Sequence, residues 1–235
     1  MPFLMIANLL KKYQAIYHTV VPFNSITDKL LHMDFTAANT SLTAAVLEDT
    51  EKFAAYITTQ LQQAGALYGI GGYNENRTVY SRSKHFDAPN GGEARRLHLG
   101  IDIWGAAGTP VFAPMGGMVH SFAFNDRFGD YGATIVLLHQ LDGMAFYTLY
   151  GHLSLKDIAT IKEGQYINIG EAFGHFGLPE ENGQWPPHLH FQVIEDMQLK
   201  EGDYPGVCKL SEGGKYLANC PNPDAILNMM QYAKP

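Results

Sequence analysis

The chain has 235 residues, 46% apolar and 17% charged, a composition that excludes an intrinsically disordered chain and fits a substantial folded core. With 16 basic and 23 acidic residues the net charge is −7, and no dense Lys/Arg cluster is present, which disfavours nucleic acid as a partner. No apolar run reaches the ~20 residues that cross a bilayer, so the sequence predicts no membrane span.

The first residues, MPFLMIANLLKKYQAIY, place an apolar stretch before the lysines. A secretory signal has the opposite order, with positive charge first and a cleavage site of small residues afterwards. The sequence therefore shows no signal peptide and favours a cytoplasmic location over export.

Residues 1–70 are predicted to form a helical extension that packs on the remaining chain as a structural arm, which is favoured over a segment that blocks a groove. Apolar residues recur at helical spacing on one face of this region: Leu42, Val46, Phe53, Tyr56, Ile57 and Leu61. Thr40 or Ser41 is expected to cap the helix, and Gly65 or Gly69 is expected to end it.

From residue 71 the sequence changes to short apolar runs bounded by Gly, Pro, Asn or Asp, which are typical of strands. The runs are TPVFAPMGGMVHSFAF, GATIVLLH, MAFYTLYGHL, QYINIGEAFGHFG and HLHFQVI. Because no helical run of crossover length separates them, residues 71–198 are predicted to form a mainly β, antiparallel sandwich or barrel domain. Residues 199–235 are predicted to be a C-terminal loop with a short helix that begins at Asp224 or Asn222.

Both cysteines, Cys208 and Cys220, lie in the loop-like C-terminal region. Free thiols are favoured over a disulfide that closes this loop, because nothing else in the sequence signals secretion.

The stretch PPHLHFQV places His188 and His190 two residues apart on a predicted strand. Alternate residues share a face, so the two imidazoles lie about 7 Å apart at the backbone and Leu189 turns into the core. That spacing suits one metal ligand and one neighbour that acts on whatever the metal binds.

A second pattern, RRLHLGIDIW, separates His98 and Asp102 by three residues. In a straight strand they would lie about 13 Å apart, but a bend at Gly100 could bring both to one ion. Two histidines and an aspartate form a familiar zinc set that leaves a fourth position for water. His152, at the end of an aromatic-rich strand, has no close partner in the sequence.

Five blocks follow one another in order: HLGIDIWGAAGTPVFAPMGGMV, YGATIVLLH, YTLYGHLS, IKEGQYINIGEAFGHFG and PPHLHFQV. Over about residues 95–195 the chain thereby resembles the lysostaphin-type (LytM-like) zinc metallopeptidases, which cut peptidoglycan peptides. The resemblance implies a mostly antiparallel β fold with a groove across a sheet. It also implies one zinc ion per chain, held by His98, Asp102 and His190.

The resemblance further implies that His188 and His152 are catalytic histidines that do not bind the metal. Zinc would polarise the scissile carbonyl and supply hydroxide from bound water. His188 would take the proton and pass it to the leaving amine, while His152 would orient water or stabilise the oxyanion; these two roles stay interchangeable at this point. The implied substrate is a peptide, either peptidoglycan-derived or containing Gly or D-Ala.

Two features depart from the family pattern. The approach to the paired histidines contains Trp185 and two prolines instead of a loop of small residues, which is expected to stiffen and fill the groove wall. Gln192 stands where the family often has Glu, and we expect this change to alter the surroundings of the metal without removing a ligand.

The flanks contain GIGGYNENRTVYS, the doubled Arg95–Arg96 and CPNPDAIL. In these features they are similar to the version of this domain found in bacterial fusion chains with aminotransferase and kinase-like modules. In that version Tyr73, Glu75, Arg77 and Arg96 are candidates for substrate contacts. A stabilising ion pair between Glu75 and Arg77 is the favoured alternative.

Two other functions compete with the peptidase. A catalytically silent zinc-binding scaffold on the same fold is disfavoured because all five key positions are present. A histidine phosphocarrier with a related β topology would need neither Asp102 nor the histidine pair.

Overall fold

The computed structural model describes residues 3–234. Strands predominate over helices in this part of the chain, in agreement with the predicted mainly β class. The helices are α1 Phe3–Lys12, α2 Ala44–Leu47, α3 Thr50–Ala64, α4 Leu155–Thr160, α5 Gly213–Asn219 and α6 Asp224–Leu227. Among residues 3–234, no helix combines the length and apolar character that crossing a bilayer would require.

The strands form three sheets. Their bounds are β1 Leu30–His32, β2 Tyr68–Gly71, β3 Glu75–Asn76, β4 Arg95–His98, β5 Ile101–Trp104, β6 Pro110–Phe112, β7 Gly117–Asn125, β8 Gly132–Leu141, β9 Met144–Leu153, β10 Tyr166–Ile167, β11 Ala172–His175, β12 His188–Ile194, β13 Val207–Lys209 and β14 Ala233–Lys234. The main sheet has the order β10-β7-β8-β9-β12-β5-β2-β1-β14, and smaller sheets have the orders β13-β4-β3 and β11-β6.

The main sheet is antiparallel from β10 through β2, and β1 pairs in parallel with both of its neighbours. Three of the predicted runs, those at β8, β9 and β12, form single strands as expected. The run from Thr109 to Phe124 instead divides into β6 and β7, and the run from Gln165 divides into β10 and β11. Both divisions coincide with Pro or Gly residues, which interrupt a regular ladder.

The prediction that residues 1–70 are helical was incomplete, because β1 and β2 are strands of the main sheet. These strands are only three and four residues long, so periodicity in the sequence could not reveal them. The boundary at residue 70 therefore stays a prediction.

The long helix begins later than predicted. Asp49, with extended backbone angles, separates α2 from α3 and caps α3 by accepting a hydrogen bond from the Lys52 amide. The predicted end is confirmed, since Gly65 adopts the left-handed conformation that ends a helix. Phe53 and Ile57 form the buried part of the helix face.

Strand β12 lies in the middle of the main sheet, between β9 and β5. One of its faces carries Leu189, Phe191 and Val193, all fully buried in the largest hydrophobic cluster. The other face therefore carries His188 and His190, as the alternation of the sequence predicted. The histidine pair therefore lies on a central strand that has a paired strand on each side.

Candidate metal centre

Three predicted metal ligands converge on one point. The distances are 2.9 Å from His98 Nε2 to His190 Nδ1, 3.3 Å from His98 Nε2 to Asp102 Oδ1, and 3.1 Å from His190 Nδ1 to Asp102 Oδ1. All three residues are at most 3% exposed. In a tetrahedral zinc site with bonds of about 2.1 Å, ligand atoms lie about 3.4 Å apart. The triangle therefore matches the face of a zinc coordination shell.

The main chain reaches this geometry by leaving one sheet and joining another. His98 ends β4 in the three-stranded sheet, whereas Asp102 lies on β5 in the main sheet, directly opposite His190 on β12. The break between the strands includes Gly100, as predicted, but the physical reason is different. A Cβ at Gly100 would lie 2.5 Å from His190 Cε1, so glycine is needed to make room for the imidazole.

The hydrogen bonds of the two histidines fix which nitrogen carries a proton. His98 Nδ1 lies 2.9 Å from the Gly72 carbonyl, which can only accept, so His98 Nδ1–H donates. The Gln192 amide nitrogen donates to Pro205 O, which leaves Gln192 Oε1 to accept from His190 Nε2–H at 2.9 Å. The lone pairs of His98 Nε2 and His190 Nδ1 therefore both face the centre.

The short distances among the three acceptor atoms indicate a site for a cation. Two imidazole lone pairs and a carboxylate oxygen within 3.3 Å repel one another unless a positive charge lies between them. Burial lowers the pKa of His98 to about 3, so this imidazole does not supply the charge at neutral pH. The donor set of two nitrogens and one oxygen fits zinc.

Arg77 supports the aspartate from behind. Its side chain is 1% exposed, and it donates from Nη1 to Asp102 Oδ2 and from Nε to Glu75 Oε2 at 2.6 Å. Burial alone would raise the pKa of Asp102, but the neighbouring His98 and Arg77 hold it well below its usual range. The predicted Glu75–Arg77 ion pair is present, and Arg77 orients the carboxylate of Asp102, a candidate ligand. A direct contact between Arg77 and a substrate is disfavoured, because all three nitrogens of its side chain already donate to protein partners.

His188 lies beside the metal-binding triangle. Its ring stacks on Trp104, the residue opposite it on β5, with centroids 3.8 Å apart and planes 13° apart. Nδ1–H donates to the Pro186 carbonyl at 2.8 Å, which leaves Nε2 as the nitrogen available to a ligand. Burial lowers the pKa of His188 to about 4. The side chain is therefore fixed in orientation and neutral near pH 7.

His152 approaches from β9, and its ring centroid lies 4.0 Å from that of His188. Its backbone φ is +63°, a left-handed conformation that costs a non-glycine residue about 1–3 kcal/mol and is concentrated at functional sites. Nδ1–H donates to the Asn182 carbonyl at 2.8 Å. The pKa of His152 lies well below its ordinary value, mainly because the side chain is buried.

Four of the five predicted residues, Asp102, His152, His188 and His190, thus line one cavity of about 110 Å³, and His98 Nε2 lies 2.9 Å from Nδ1 of the lining residue His190. Trp185 lines the wall as predicted, beside both Trp104 and Tyr80. No lining residue precedes Arg77 in the part of the chain that the structure describes.

Sequence reasoning missed the groups that hold these side chains in place. Gly72 O, Pro186 O and Asn182 O are main-chain atoms, so no side-chain pattern could identify them. Asn182 holds its loop in place through side-chain hydrogen bonds to Gly177 O and to the Trp185 main chain. Unlike the main-chain carbonyls, this asparagine side chain is visible in the sequence and could have been named as a positioning residue.

The remaining predicted candidates lie away from the cavity. Tyr73 donates its hydroxyl to the Cys220 carbonyl at 2.7 Å, and Arg96 pairs with Asp87 at the surface. Cys208 and Cys220 are free, buried thiols, as favoured. Cys220 Sγ accepts a hydrogen bond from Gln192 Nε2, and burial raises the pKa of this thiol to about 12.

Part of the chain matches a known protein family. Residues 96–201 match the model of Peptidase family M23. The matched range contains the three residues of the triangle together with His152 and His188.

Two curated proteins are similar over the same part of the chain. The L-Ala–D-Glu endopeptidase of Bacillus subtilis (strain 168) is 31% identical over 125 residues, which cover 51% of this chain and 36% of that protein. The DD-carboxypeptidase/endopeptidase Mpg of Neisseria meningitidis serogroup B is 34% identical over 129 residues, which cover 52% of this chain and 26% of that protein. The similarity thus extends over well under half of each relative's length.

Among solved structures, the antimicrobial peptidase lysostaphin from Staphylococcus simulans is 24% identical, with a TM-score of 0.43. The superposition covers 71% of this chain and 52% of that one.

Proposed function

We propose, from the premise that residues 96–201 form a domain of peptidase family M23, that this protein is a zinc-dependent metallo-endopeptidase of the peptidoglycan-hydrolase type. The single observation that supports this most strongly is the triangle of donor atoms from His98, Asp102 and His190, with separations of 2.9–3.3 Å.

His98, Asp102 and His190 would hold the zinc ion. When bound there, zinc would polarise the carbonyl of a peptide bond and make a water molecule acidic enough to attack near neutral pH. Gly72 O, Gln192 Oε1 and Arg77 would keep the three ligands oriented, since partners behind metal ligands fix ring orientation and basicity.

The two remaining histidines would move protons and stabilise charge. His188 Nε2 is the proposed proton acceptor, which later returns the proton to the leaving amine. His152, with its ring 4.0 Å from that of His188, would orient the attacking water or donate to the oxyanion. Trp104 and the Pro186 carbonyl would prevent rotation of His188 during the reaction.

The proposed substrate is a peptide of the peptidoglycan type, with Gly or D-Ala near the scissile bond. This proposal is supported by the two curated relatives, an L-Ala–D-Glu endopeptidase and a DD-carboxypeptidase/endopeptidase.

The competing functions are not favoured. A silent scaffold does not require His152 and His188 to have their Nδ1 atoms held and their Nε2 atoms available in one cavity. A phosphocarrier does not require a carboxylate oxygen within 3.3 Å of two imidazole lone pairs, where it would repel a phosphoryl group.

The test combines metal analysis with a cleavage screen. We expect about one zinc per chain, release of new amines from peptides that contain Gly, D-Ala or L-Ala–D-Glu bonds, and loss of cleavage in His188→Ala with zinc retained. His190→Ala is expected to lose both zinc and cleavage. Full activity after complete removal of the metal would contradict the proposal.

A further inference from the structure

The walls of the active-site cavity come largely from outside the family domain. About half of the lining residues belong either to the segment from Arg77 to Arg95 or to the segment from Asp203 to Val207. All of these positions lie before or after the matched range of residues 96–201. We call these two segments together the cap.

The cap leaves little of the site open. His98, Asp102, His152, His188 and His190 are each at most 5% exposed. The cavity of about 110 Å³ is smaller than the ~300–1,000 Å³ of ordinary ligand pockets. Tyr80 and Phe86 form an apolar part of the upstream wall, with ring centroids 4.6 Å apart.

The upstream half of the cap is firmly attached. Arg82, which is 8% exposed, donates to Leu47 O, to Gln184 O and to Thr50 Oγ1, each at 2.9 Å. Its guanidinium also lies 4.7 Å from the centre of the Trp185 ring. Charge-assisted bonds to buried acceptors are strong, so this segment is a fixed wall and not a loose lid.

The downstream half is equally attached. The Gly206 carbonyl accepts from the Leu99 amide at 2.8 Å, and the Pro205 carbonyl accepts from Gln192 Nε2 at 3.1 Å. Strand β13 then pairs with β4, next to the ligand His98. Moving this segment aside would break bonds that also hold the metal-binding residues.

We propose that the cap converts the groove into a pocket that admits short, soluble peptides and excludes long or cross-linked peptidoglycan strands. The inference rests on the proposed function of the site and specifies its substrate class: a peptide with a chain end only a few residues from the scissile bond. A long strand would have to pass through walls held by the contacts of Arg82, Pro205 and Gly206.

The first test is a length series with the zinc-loaded protein. A tripeptide, a pentapeptide and a decapeptide share the scissile bond that is cut fastest in the cleavage screen, and insoluble peptidoglycan is the fourth substrate. We expect kcat/KM to fall at least about tenfold from the tripeptide to the decapeptide, with no release from the insoluble material. Equal rates for the decapeptide and the tripeptide would overturn the inference and leave the peptidase intact.

A second readout does not require cleavage. The chain has two tryptophans, Trp104 and Trp185, and both line the cavity. Their fluorescence should therefore respond to the tripeptide in the His188→Ala protein and respond at least about tenfold more weakly to the decapeptide. If no peptide is cleaved, the proposed function fails, and these titrations still decide the length limit. Equal fluorescence responses to the two peptides, or no response to either, would overturn the length limit.

A wall variant tests the cause. Phe86→Ala should open the upstream wall and raise kcat/KM for the decapeptide about tenfold relative to the tripeptide. Phe128→Ala is the control, because Phe128, like Phe86, packs against an arginine of the upstream segment, Arg82 in place of Arg95, but does not line the cavity. An equal gain in both variants would contradict the role of the wall, and if Phe86→Ala does not fold, the length series on the native chain remains decisive.

Discussion

At the scale of single residues, the site depends on acceptors that fix the protons of its histidines. Gly72 O and Gln192 Oε1 each hold the far nitrogen of a candidate ligand histidine and turn the lone pair of its other nitrogen inward. The acceptor beside His190 is a neutral amide oxygen, which can accept the Nε2–H proton but carries no charge.

Substitution of Gln192 tests this arrangement. Gln192→Leu removes the acceptor for His190 Nε2–H, and we expect zinc affinity to fall about 10–100-fold in a competition titration with a chelator. Gln192→Glu keeps an acceptor and should bind zinc at least as tightly as the native protein. Unchanged affinity in Gln192→Leu would show that the glutamine does not orient the ligand.

Gly100 tests the steric requirement of the same ligand. In Gly100→Ala the new Cβ would lie 2.5 Å from His190 Cε1, so the imidazole must move and zinc content should fall well below that of the native protein. Gly214→Ala is the matched control, because nothing lies within 4 Å of the added Cβ. The measurement is the zinc content of both purified variants by elemental analysis. Full zinc content in Gly100→Ala would contradict the steric requirement for glycine.

At the scale of the secondary-structure elements, the strand pairing explains why the ligands meet. The register of β12 against β5 places His190 opposite Asp102 and His188 opposite Trp104. Slipping β12 by one residue would turn the histidines into the core, which makes the register strongly specified. The neighbouring strands β8 and β9 carry a separate buried imidazole, His139, paired in register with Phe146.

His139 gives the fold a pH dependence that does not involve the metal centre. Burial lowers its pKa to about 4, although donation from Nδ1 to Gly116 O opposes this shift. Below the ordinary pKa of 6.5 the unfolded chain takes up a proton that the folded chain does not. The stability from this residue is therefore complete above about pH 6.5 and is lost as the pH falls towards 4, by up to about 3 kcal/mol.

The measurement is urea unfolding at several pH values across this interval. His139→Gln should show a shallower loss of unfolding free energy than the native chain, because glutamine does not titrate. Identical slopes for the two proteins would show that His139 is protonated as easily in the folded state as in the unfolded one.

At the scale of the whole molecule, the centre joins the main sheet to the three-stranded sheet. His98 belongs to the smaller sheet, whereas Asp102 and His190 belong to the larger one. A metal ion between them would link the two sheets, and without it the three electron-rich atoms repel one another. Metal binding should therefore contribute to the stability of the fold.

Zinc titration tests this contribution. A ligand that binds only the folded state stabilises it by RT ln(1 + [L]/Kd), about 4 kcal/mol at a thousandfold excess over Kd. We expect the Tm of the native protein to rise with zinc concentration and the Tm of His190→Ala to stay constant. A native Tm that is insensitive to both zinc and chelator would contradict a metal-bound folded state.

The sequence by itself determined the local features, which are the strands at β8, β9 and β12 and the face shared by His188 and His190, and it supplied the five candidate site residues. These follow from alternation, turn residues and the order of motifs, which are properties of neighbouring positions in the chain. Only the tertiary structure decided which distant main-chain carbonyls orient the histidines, that Arg77 supports Asp102, and that flanking segments wall the cavity. Such contacts join positions far apart in sequence, and no local pattern encodes the register or the packing that brings them together.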